Sequence, residues 1–133
     1  MLTSRQAHTI ITAGETRAAA MGVSVNIAVL DASARLKAFS RMDGAVLGSI
    51  DVAIKKASTA ALFQTSSEAV WDYCKPDAPA HALEHTNGGL APFAGGLPLK
   101  GVDGEMLGAI SVSGGAVAQD LKIAEAGVSA INT

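Results

Sequence analysis

The sequence predicts an α+β domain, in which an antiparallel sheet of about five strands carries its helices on one side. Three observations lead to this class. Apolar residues recur every three or four positions near both ends of the chain and in its middle, as in amphipathic helices. Short β-branched segments lie between these stretches, and tight turns join them into two hairpins. Hairpins beside separate helices favour an antiparallel sheet with one helical face.

The first helix is predicted over residues 4–21. Thr3 and Gln6 form a capping-box pattern, in which two polar side chains satisfy the first free backbone groups of a helix. Gly22 is a natural stop signal. The residues that share the apolar face are Ala7, Ile10, Ile11, Gly14, Ala18 and Met21.

A hairpin follows the first helix. Residues 23–30 are apolar and rich in β-branched side chains, whereas residues 35–40 alternate between polar and apolar. Residues 31–34 form the turn between them. The pattern predicts one buried strand paired with one less buried strand.

The middle of the chain is predicted to be helical. A long amphipathic helix follows the Asp43-Gly44 loop, and Asp51 and Lys55 can pair on its outer face. Residues 66–73 predict a short third helix. The apolar stripe of the long helix is Leu47, Ile50, Ile54, Ala57 and Ala61.

The last third of the chain combines a long loop, a hairpin and a helix. Residues 76–96 hold three of the four prolines and four glycines, and they predict a loop with one short strand near 90–93. A loop this long is more often functional than idle. Residues 97–102 and 106–113 flank Asp103-Gly104, a hairpin signal, and a helix ends the chain. This order, in a single domain over residues 1–133, is the PAS/profilin-like kind of architecture.

Composition excludes several classes of function. The 10 basic and 12 acidic residues give a formal net charge of −2 without a basic cluster, which argues against a nucleic-acid partner. Apolar runs are far shorter than the roughly 18 residues of a membrane span, and the polar start does not resemble a secretory signal. Cys74 is the single cysteine, so an intrachain disulfide is excluded. We therefore expect a cytoplasmic protein without a membrane partner.

Two loop histidines are candidate ligands. His81 and His85 are four residues apart, which would place both on one face of a helix. Prolines before them and glycines after them disfavour a regular helix, and no third zinc ligand is obvious. A loop histidine can bind a metal or move a proton, and it can equally face solvent. His8 lies at the edge of the first helical stripe and is interpreted as a boundary residue.

A second candidate set lies where the first hairpin enters the long helix. Arg41 and Lys56 could meet a ligand carboxylate, with Asp43 and Ser49 beside them. The alternative is a loop salt bridge between Arg41 and Asp43 and a Lys56 whose charged end extends to solvent. The Gly-Gly pair at residues 114–115 precedes a helix and could hold an anion, although tight turns explain such pairs as well.

These motifs together resemble the GlcG/HbpS-like family, also labelled haem-degrading or haem-binding and related to the C-terminal domain of PduO-type adenosyltransferases. The resemblance covers nearly the whole chain. The segments that carry it are residues 29–31, 36–39, 41–45, 49, 56–60, 84–89, 95–99 and 108–114.

The resemblance implies a PAS/profilin-like fold, assembly into dimers or larger homo-oligomers and, for some members, binding of haem or a related tetrapyrrole. His85, with His81 as the other candidate, would ligate the iron, while Arg41 or Lys56 met a propionate. Other members look like accessory proteins of small hydroxy-acid catabolism. The ligand-binding candidates are Arg41, Ser49, Lys56, His81, Asn87 and Gly96.

Two other functions stay open. One is a cofactor-independent hydrolase, lyase or isomerase acting on a small carboxylate metabolite, with Asp43, Glu84 or His85 as acid or base. It predicts a pocket of roughly a few hundred Å³. The other is an accessory or assembly subunit without chemistry of its own.

A homo-oligomer is also expected from the residues themselves. Trp71 and Tyr73 lie on the predicted third helix, close to the Pro- and Gly-rich loop. A sheet with helices on one side needs cover for its other side, and a second subunit is a natural cover. The alternative is that Trp71 completes the core of a single subunit.

Overall fold

The chain folds into four α-helices and one four-stranded antiparallel sheet, described over residues 1–131 by a computed structural model. The predicted α+β class and antiparallel sheet are confirmed. A single 3₁₀ turn lies at Leu83–His85 in this part of the chain. In chain order the elements are α1 (Ser4–Met21), β1 (Asn26–Asp31), β2 (Leu36–Arg41), α2 (Ser49–Phe63), α3 (Ser67–Cys74), β3 (Gly96–Lys100), β4 (Met106–Ser113) and α4 (Val117–Ser129).

The first helix begins and ends where the sequence predicts. The hydroxyl of Thr3 accepts the N–H of Gln6, and the Gln6 side chain accepts the N–H of Thr3, so the capping box is complete. Gly22 ends the helix in the left-handed conformation, at φ 72°. The predicted third helix is also present, and the Ser66 hydroxyl caps its first turn.

The sheet has the strand order β2-β1-β4-β3, and all neighbouring strands are antiparallel. β1 and β4 are therefore central, as the density of β-branched residues in β4 suggests. Ile27 lies opposite Val112 and Val29 opposite Ile110, and all four side chains are buried. β2 is an edge strand and largely exposed, which agrees with its alternating sequence.

The prediction of a fifth strand near residues 90–93 is wrong. The N–H of Leu90 donates to the carbonyl of Glu84, which closes a turn. The N–H of Ala91 donates to the hydroxyl of Thr59 on α2, at 3.0 Å. Because these donors are used by a turn and a helix side chain, the segment has no ladder to join.

Helices cover both faces of the sheet, so the prediction that they lie on one side is also wrong. α1 and α4 pack on the face formed by Ile27, Val29, Ile110 and Val112. α2 packs on the opposite face, where Ala53 and Ala57 meet the alternate side chains of β1. Both central strands are therefore buried on each face, as in sheets covered by helices on both sides. The sheet needs no second subunit as a cover.

Within residues 1–131, none of the helices is both long and apolar enough to cross a membrane.

Candidate functional site

A cavity of about 980 Å³ lies between α3 and the loop that precedes β3. Most of its wall is apolar, and two aromatic side chains, Trp71 and Phe93, are 44% and 41% exposed there. The lining residues are Ser66, Glu68, Ala69, Trp71, Asp72, Glu84, Pro92, Phe93, Ala94 and Val117.

Two buried hydroxyl side chains hold the loop that forms one wall of this cavity. Ser67 on α3 donates to the carbonyl of Phe93, at 2.6 Å, and accepts the N–H of Gly96, at 2.9 Å. Thr59 on α2 accepts the N–H of Ala91. Ser67 and Thr59 are fully buried. These bonds explain how a long Pro- and Gly-rich loop keeps one conformation against the helices.

Lys55 on α2 also contacts the loop that forms this wall of the cavity. Its ammonium donates to the carbonyl of Gly88, at 3.0 Å. Among the ion pairs of residues 1–131, none joins Lys55 to Asp51, so the predicted i,i+4 pair on the outer face of α2 is replaced by this loop contact.

All charged residues that line the cavity are acidic. Glu68 and Asp72 lie on α3, and Glu84 lies on the 3₁₀ turn. The Oε1 atom of Glu84 is buried and accepts no hydrogen bond from the described residues. A buried acceptor without a donor costs free energy, so this oxygen lowers the stability of the fold locally.

A buried ion pair lies behind Phe93. The Lys56 ammonium on α2 is 3.2 Å from Asp120 Oδ2 on α4, and it also donates to the carbonyl of Val112 on β4, at 2.9 Å. Both side chains are at most 3% exposed. The Phe93 ring lies over the ammonium, 5.2 Å from ring centroid to Nζ, in a cation–π arrangement. The pair thus joins helices from the two sides of the sheet.

Burial shifts both partners of this pair towards their neutral forms. Desolvation lowers the pKa of Lys56 below its ordinary 10.5, and the charge and hydrogen bond of Asp120 oppose the shift. Desolvation also raises the pKa of Asp120 above 3.8. Lys56 and the backbone N–H groups of Gly115 and Gly114 oppose that second shift.

Asp120 also fills the anion position that the Gly-Gly pair before α4 suggested. Its Oδ1 accepts the N–H of Gly115, at 2.9 Å. The free N–H groups at the start of a helix favour negative charge, and here the chain supplies the carboxylate itself. The Gly-Gly pair therefore does contact an anion, but that anion is the Asp120 carboxylate of the same chain.

A second groove of about 410 Å³ adjoins the cavity and shares Phe93 and Val117 with it. Ser49 lies at its wall and accepts a hydrogen bond from Asn26 Nδ2, at 2.6 Å. Asn26 is fully buried, and its Oδ1 has no hydrogen-bond partner among the described residues.

The predicted site residues separate into two groups. Glu84 lines the cavity, and Ser49 and Lys56 line the adjoining groove. Gly96 is buried beneath the loop, against Lys56 and Ser67. Lys56 neither extends to solvent nor is free for an external carboxylate, because Asp120 neutralises it.

The other predicted residues are exposed and lie outside these two spaces: Arg41, Asp43, His81, His85 and Asn87. No ion pair joins Arg41 to Asp43 in the part of the chain that the structure describes. The two loop histidines do not share a regular helix, since only a 3₁₀ turn ends at His85. Over residues 1–131, no three His, Cys, Asp or Glu side chains are grouped to hold a metal ion.

Cys74 is a buried packing residue on α3. Desolvation, and then the nearby charge of Glu84, raise the pKa of its thiol above 9.0. A thiol held in its neutral form is a poor nucleophile.

Sequence reasoning missed Asp120, Ser67 and the acidic wall formed by Glu68 and Asp72. The only signal for Asp120 was its place in the first turn of a helix that follows two glycines. Such a carboxylate can satisfy free N–H groups. Its pairing with Lys56, 64 residues away, depends on the fold and leaves no local pattern.

Residues 2–129 match the family model described as haem degrading protein HbpS-like. The chain belongs to the HbpS-like family. This confirms the resemblance to GlcG/HbpS-like proteins. The corrinoid adenosyltransferase PduO of Citrobacter freundii is 36% identical over 132 residues, which are 98% of this chain and 39% of that protein. The chain therefore spans less than half the length of PduO.

Two further similarities extend over most of the length of both proteins that are compared. Protein GlcG of Escherichia coli K12 is 34% identical over 113 residues, which are 85% of this HbpS-like chain and 81% of GlcG. The crystal structure of a PduOC:haem complex superimposes on this chain with a TM-score of 0.92, at 34% sequence identity. It covers 98% of this chain and 95% of the other.

Proposed function

We propose that this protein binds haem or a related tetrapyrrole, for haem storage or degradation. The observation that carries the proposal is the likeness to the PduOC:haem complex, which extends over nearly all of both chains. The family description, haem degrading protein, supports the same ligand class.

The 980 Å³ cavity suits a flat apolar ring better than the other two spaces, of about 410 and 360 Å³. Its volume lies at the upper end of the roughly 300–1,000 Å³ of small-molecule sites. Trp71, Phe93 and Pro92 offer apolar surface for ring faces. Bound haem would supply iron for ligand or redox chemistry, while the chain's own residues hold and orient the ring.

The charges of the cavity determine the orientation in which haem would bind. Carboxylates line the wall, and Lys56 is already paired with Asp120. The haem propionates would therefore point to solvent rather than into the cavity. The assignment of Lys56 to a propionate therefore loses its basis, and Arg41 lies outside the cavity.

Each of the three histidines is exposed, and His85 directly follows the cavity residue Glu84. His8 on α1 is held differently: its Nδ1 lies 2.8 Å from the carbonyl of Ser4. That bond leaves Nε2 free, which is the arrangement seen in metal-ligating histidines. We keep His85 as the first candidate for the iron ligand and test His8 and His81 beside it.

Titration with haemin is expected to give a saturable shift of the Soret band together with quenching of Trp71, the only tryptophan. Replacing Trp71 by alanine should weaken binding by about tenfold, because a ring-sized aromatic contact is lost. His85→Ala should change the Soret spectrum more than His8→Ala or His81→Ala.

The control is Val102→Ala, which alters a fully exposed side chain away from the cavity and should leave binding unchanged. Haem dimethyl ester tests the orientation: with propionates in solvent, it should bind at least as tightly as haem. A Soret band that does not shift on titration, or binding unaffected by Trp71→Ala, would contradict the proposal.

The small-carboxylate enzyme has less support from the geometry. It needs a free cation beside an acid or base, yet Lys56 is paired with Asp120 and Arg41 lies outside the cavity. The accessory-subunit hypothesis predicts that substituting Arg41, Lys56 or His85 leaves partner binding unchanged.

We also propose that the protein is a homo-oligomer. The reason is not a need to cover the sheet, because helices already cover both of its faces. Phe63 and Tyr73 are 37% and 58% exposed and line a shallow apolar cavity of about 360 Å³. Aromatic side chains are enriched in subunit interfaces. Sedimentation at micromolar concentration should give a dimer or larger, and Tyr73→Glu should shift it towards monomer. A clean monomer of the unaltered chain would refute this proposal.

A further inference from the structure

An Asn-Gly pair lies at the centre of an exposed turn in the long loop before β3. The N–H of Gly89 donates to the carbonyl of Thr86, at 2.9 Å, so Asn87 and Gly88 are the two central residues of a β-turn. Their φ angles are 55° and 72°, as in the type I′ turns for which Asn-Gly is a preferred pair. Both central residues are exposed, so water reaches them freely.

The backbone nitrogen of Gly88 is free to react with the side chain that precedes it. Among residues 1–131, no carbonyl or side-chain oxygen accepts the Gly88 N–H. Gly88 has no Cβ to shield this nitrogen, and an added Cβ would meet no atom within 4 Å. The nitrogen is therefore accessible from the Asn87 side.

The side chain of Asn87 is held only weakly. Within the described part of the chain its one hydrogen bond runs from Nδ2 to Thr86 Oγ1, at 3.0 Å, and this bond is exposed. Water replaces such a bond at little cost, so the Asn87 side chain can rotate towards the Gly88 nitrogen. Asn26 differs in each respect: it is fully buried in β1, it donates to Ser49, and the β-branched Ile27 follows it.

We propose that Asn87 is a site of spontaneous deamidation. The Gly88 nitrogen attacks Cγ of Asn87, the Gly88 N–H proton goes to the departing amide nitrogen, and ammonia leaves as a cyclic succinimide forms. Water then opens the ring at either carbonyl and leaves aspartate or isoaspartate at residue 87. The net reaction consumes one water molecule and releases one ammonia, without a change of oxidation state. This modification goes beyond tetrapyrrole binding and does not depend on it.

The isoaspartate product should loosen the turn. It routes the main chain through the side chain of residue 87, which adds one carbon atom between Thr86 and Gly89. The hydrogen bond that closes the turn cannot keep its geometry across this longer path. The next bond along the chain, from the N–H of Leu90 to the carbonyl of Glu84, at 2.8 Å, connects the turn to a residue of the cavity wall.

Incubation of the whole protein in mildly alkaline buffer, followed by peptide mapping in a mass spectrometer, measures the reaction. The peptide that contains Asn87 should gain about one mass unit as its amide becomes a carboxylate. The gain should be slower in mildly acidic buffer, because the attacking nitrogen must lose its proton. Asn26 is the internal control and should stay unchanged. Electron-transfer fragmentation should find isoaspartate beside aspartate at residue 87.

Variants of the two glycines test the assigned nucleophile. Gly88→Ala places a methyl group beside the attacking nitrogen and should slow the reaction at least about tenfold. Gly89→Ala is the matched control, because it makes the same change at a second positive φ and leaves the attacking nitrogen unaltered. Hydrogen exchange of the Leu90 N–H should be several-fold faster in the isoaspartate fraction. Asn87→Asp adds the charge without the extra main-chain atom and should leave this exchange unchanged.

Equal rates at Asn87 and Asn26 would overturn the proposal, as would a rate that Gly88→Ala and Gly89→Ala lower to the same extent. An isoaspartate fraction in which the Leu90 N–H exchanges as slowly as in the unaltered protein would refute the loosened turn. None of these measurements uses haemin, so failure of the tetrapyrrole proposal leaves their outcome unaffected.

Discussion

Replacing Asp120 by asparagine should destabilise the protein by about 3–5 kcal/mol, because it leaves the Lys56 ammonium buried without its counter-charge. Lys56 is 1% exposed, so water cannot replace the lost carboxylate. Asparagine keeps an oxygen that can accept the N–H of Gly115, so the substitution removes mainly charge. Urea unfolding at pH 7, followed by fluorescence and circular dichroism, measures the loss.

The pH dependence of this variant has a defined sign. The pKa of folded Lys56 lies below 10.5, and removing Asp120 lowers it further because its charge and hydrogen bond both raised it. Between that lowered pKa and 10.5, the unfolded chain binds more protons than the folded chain. The free energy of unfolding must therefore rise with pH across this window. The gain should be larger in Asp120→Asn than in the unaltered protein.

The complementary change, Lys56→Met, should have the opposite pH dependence. The pKa of Asp120 is raised above 3.8 by burial, and loss of Lys56 raises it further. Here the folded chain binds more protons between 3.8 and the raised pKa, so the stability of this variant should increase as the pH falls through that window.

A double variant, Lys56→Met with Asp120→Asn, should recover much of the loss, because it leaves no unpaired charge in the interior. Lys75→Met is the surface control: it breaks an exposed ion pair and should cost less than about 1 kcal/mol. If the free energy of unfolding of Asp120→Asn were within about 1 kcal/mol of that of the unaltered protein, the ion pair would be open to water and its assigned role would be wrong.

Local sequence patterns predicted the bounds of the first helix because their signals are local, whereas the predicted stripe of the long helix was only partly right, since Leu47 is exposed and precedes α2. Thr3, Gln6 and Gly22 bound the first helix, and each acts within a few residues of its place in the chain. The side of the sheet on which α2 packs was not predictable in this way. The central strands are buried on both faces, so the pattern of their side chains did not show where α2 would pack. Small residues such as Ala53 and Ala57 do not indicate which face they will contact either.

The candidate site was predicted only in part for a similar reason. Glu84 lies in a segment whose composition marks a functional loop, and the structure places it in the cavity wall. The pairing of Lys56 with Asp120 depends on two helices that approach past the end of β4, which one sequence does not reveal. Residues that look available for a ligand by type, such as Lys56, can be fully used by the protein itself.

The loop contacts connect the buried ion pair to the cavity. Phe93 lies over the Lys56 ammonium on one side and lines the cavity on the other, and Ser67 holds its carbonyl. Gly96 donates to the same hydroxyl. A change that displaces this segment should therefore affect both the stability of the fold and the shape of the cavity.

Gly96→Ala should produce this combined effect. A Cβ atom at residue 96 would lie 2.5 Å from the backbone carbonyl oxygen of Lys56 and 2.9 Å from Ser67 Oγ. Neither neighbour can move freely, since one is helix backbone and the other is buried and hydrogen-bonded. We expect a loss of about 1–3 kcal/mol in unfolding free energy, as for other overpacked interiors. Haemin should bind more weakly, because the wall that carries Phe93 must shift. Gly48→Ala is the control, as its Cβ meets no atom within 4 Å. Unchanged stability and unchanged binding in Gly96→Ala would show that the loop adapts without cost and that its contact with Ser67 does not shape the cavity.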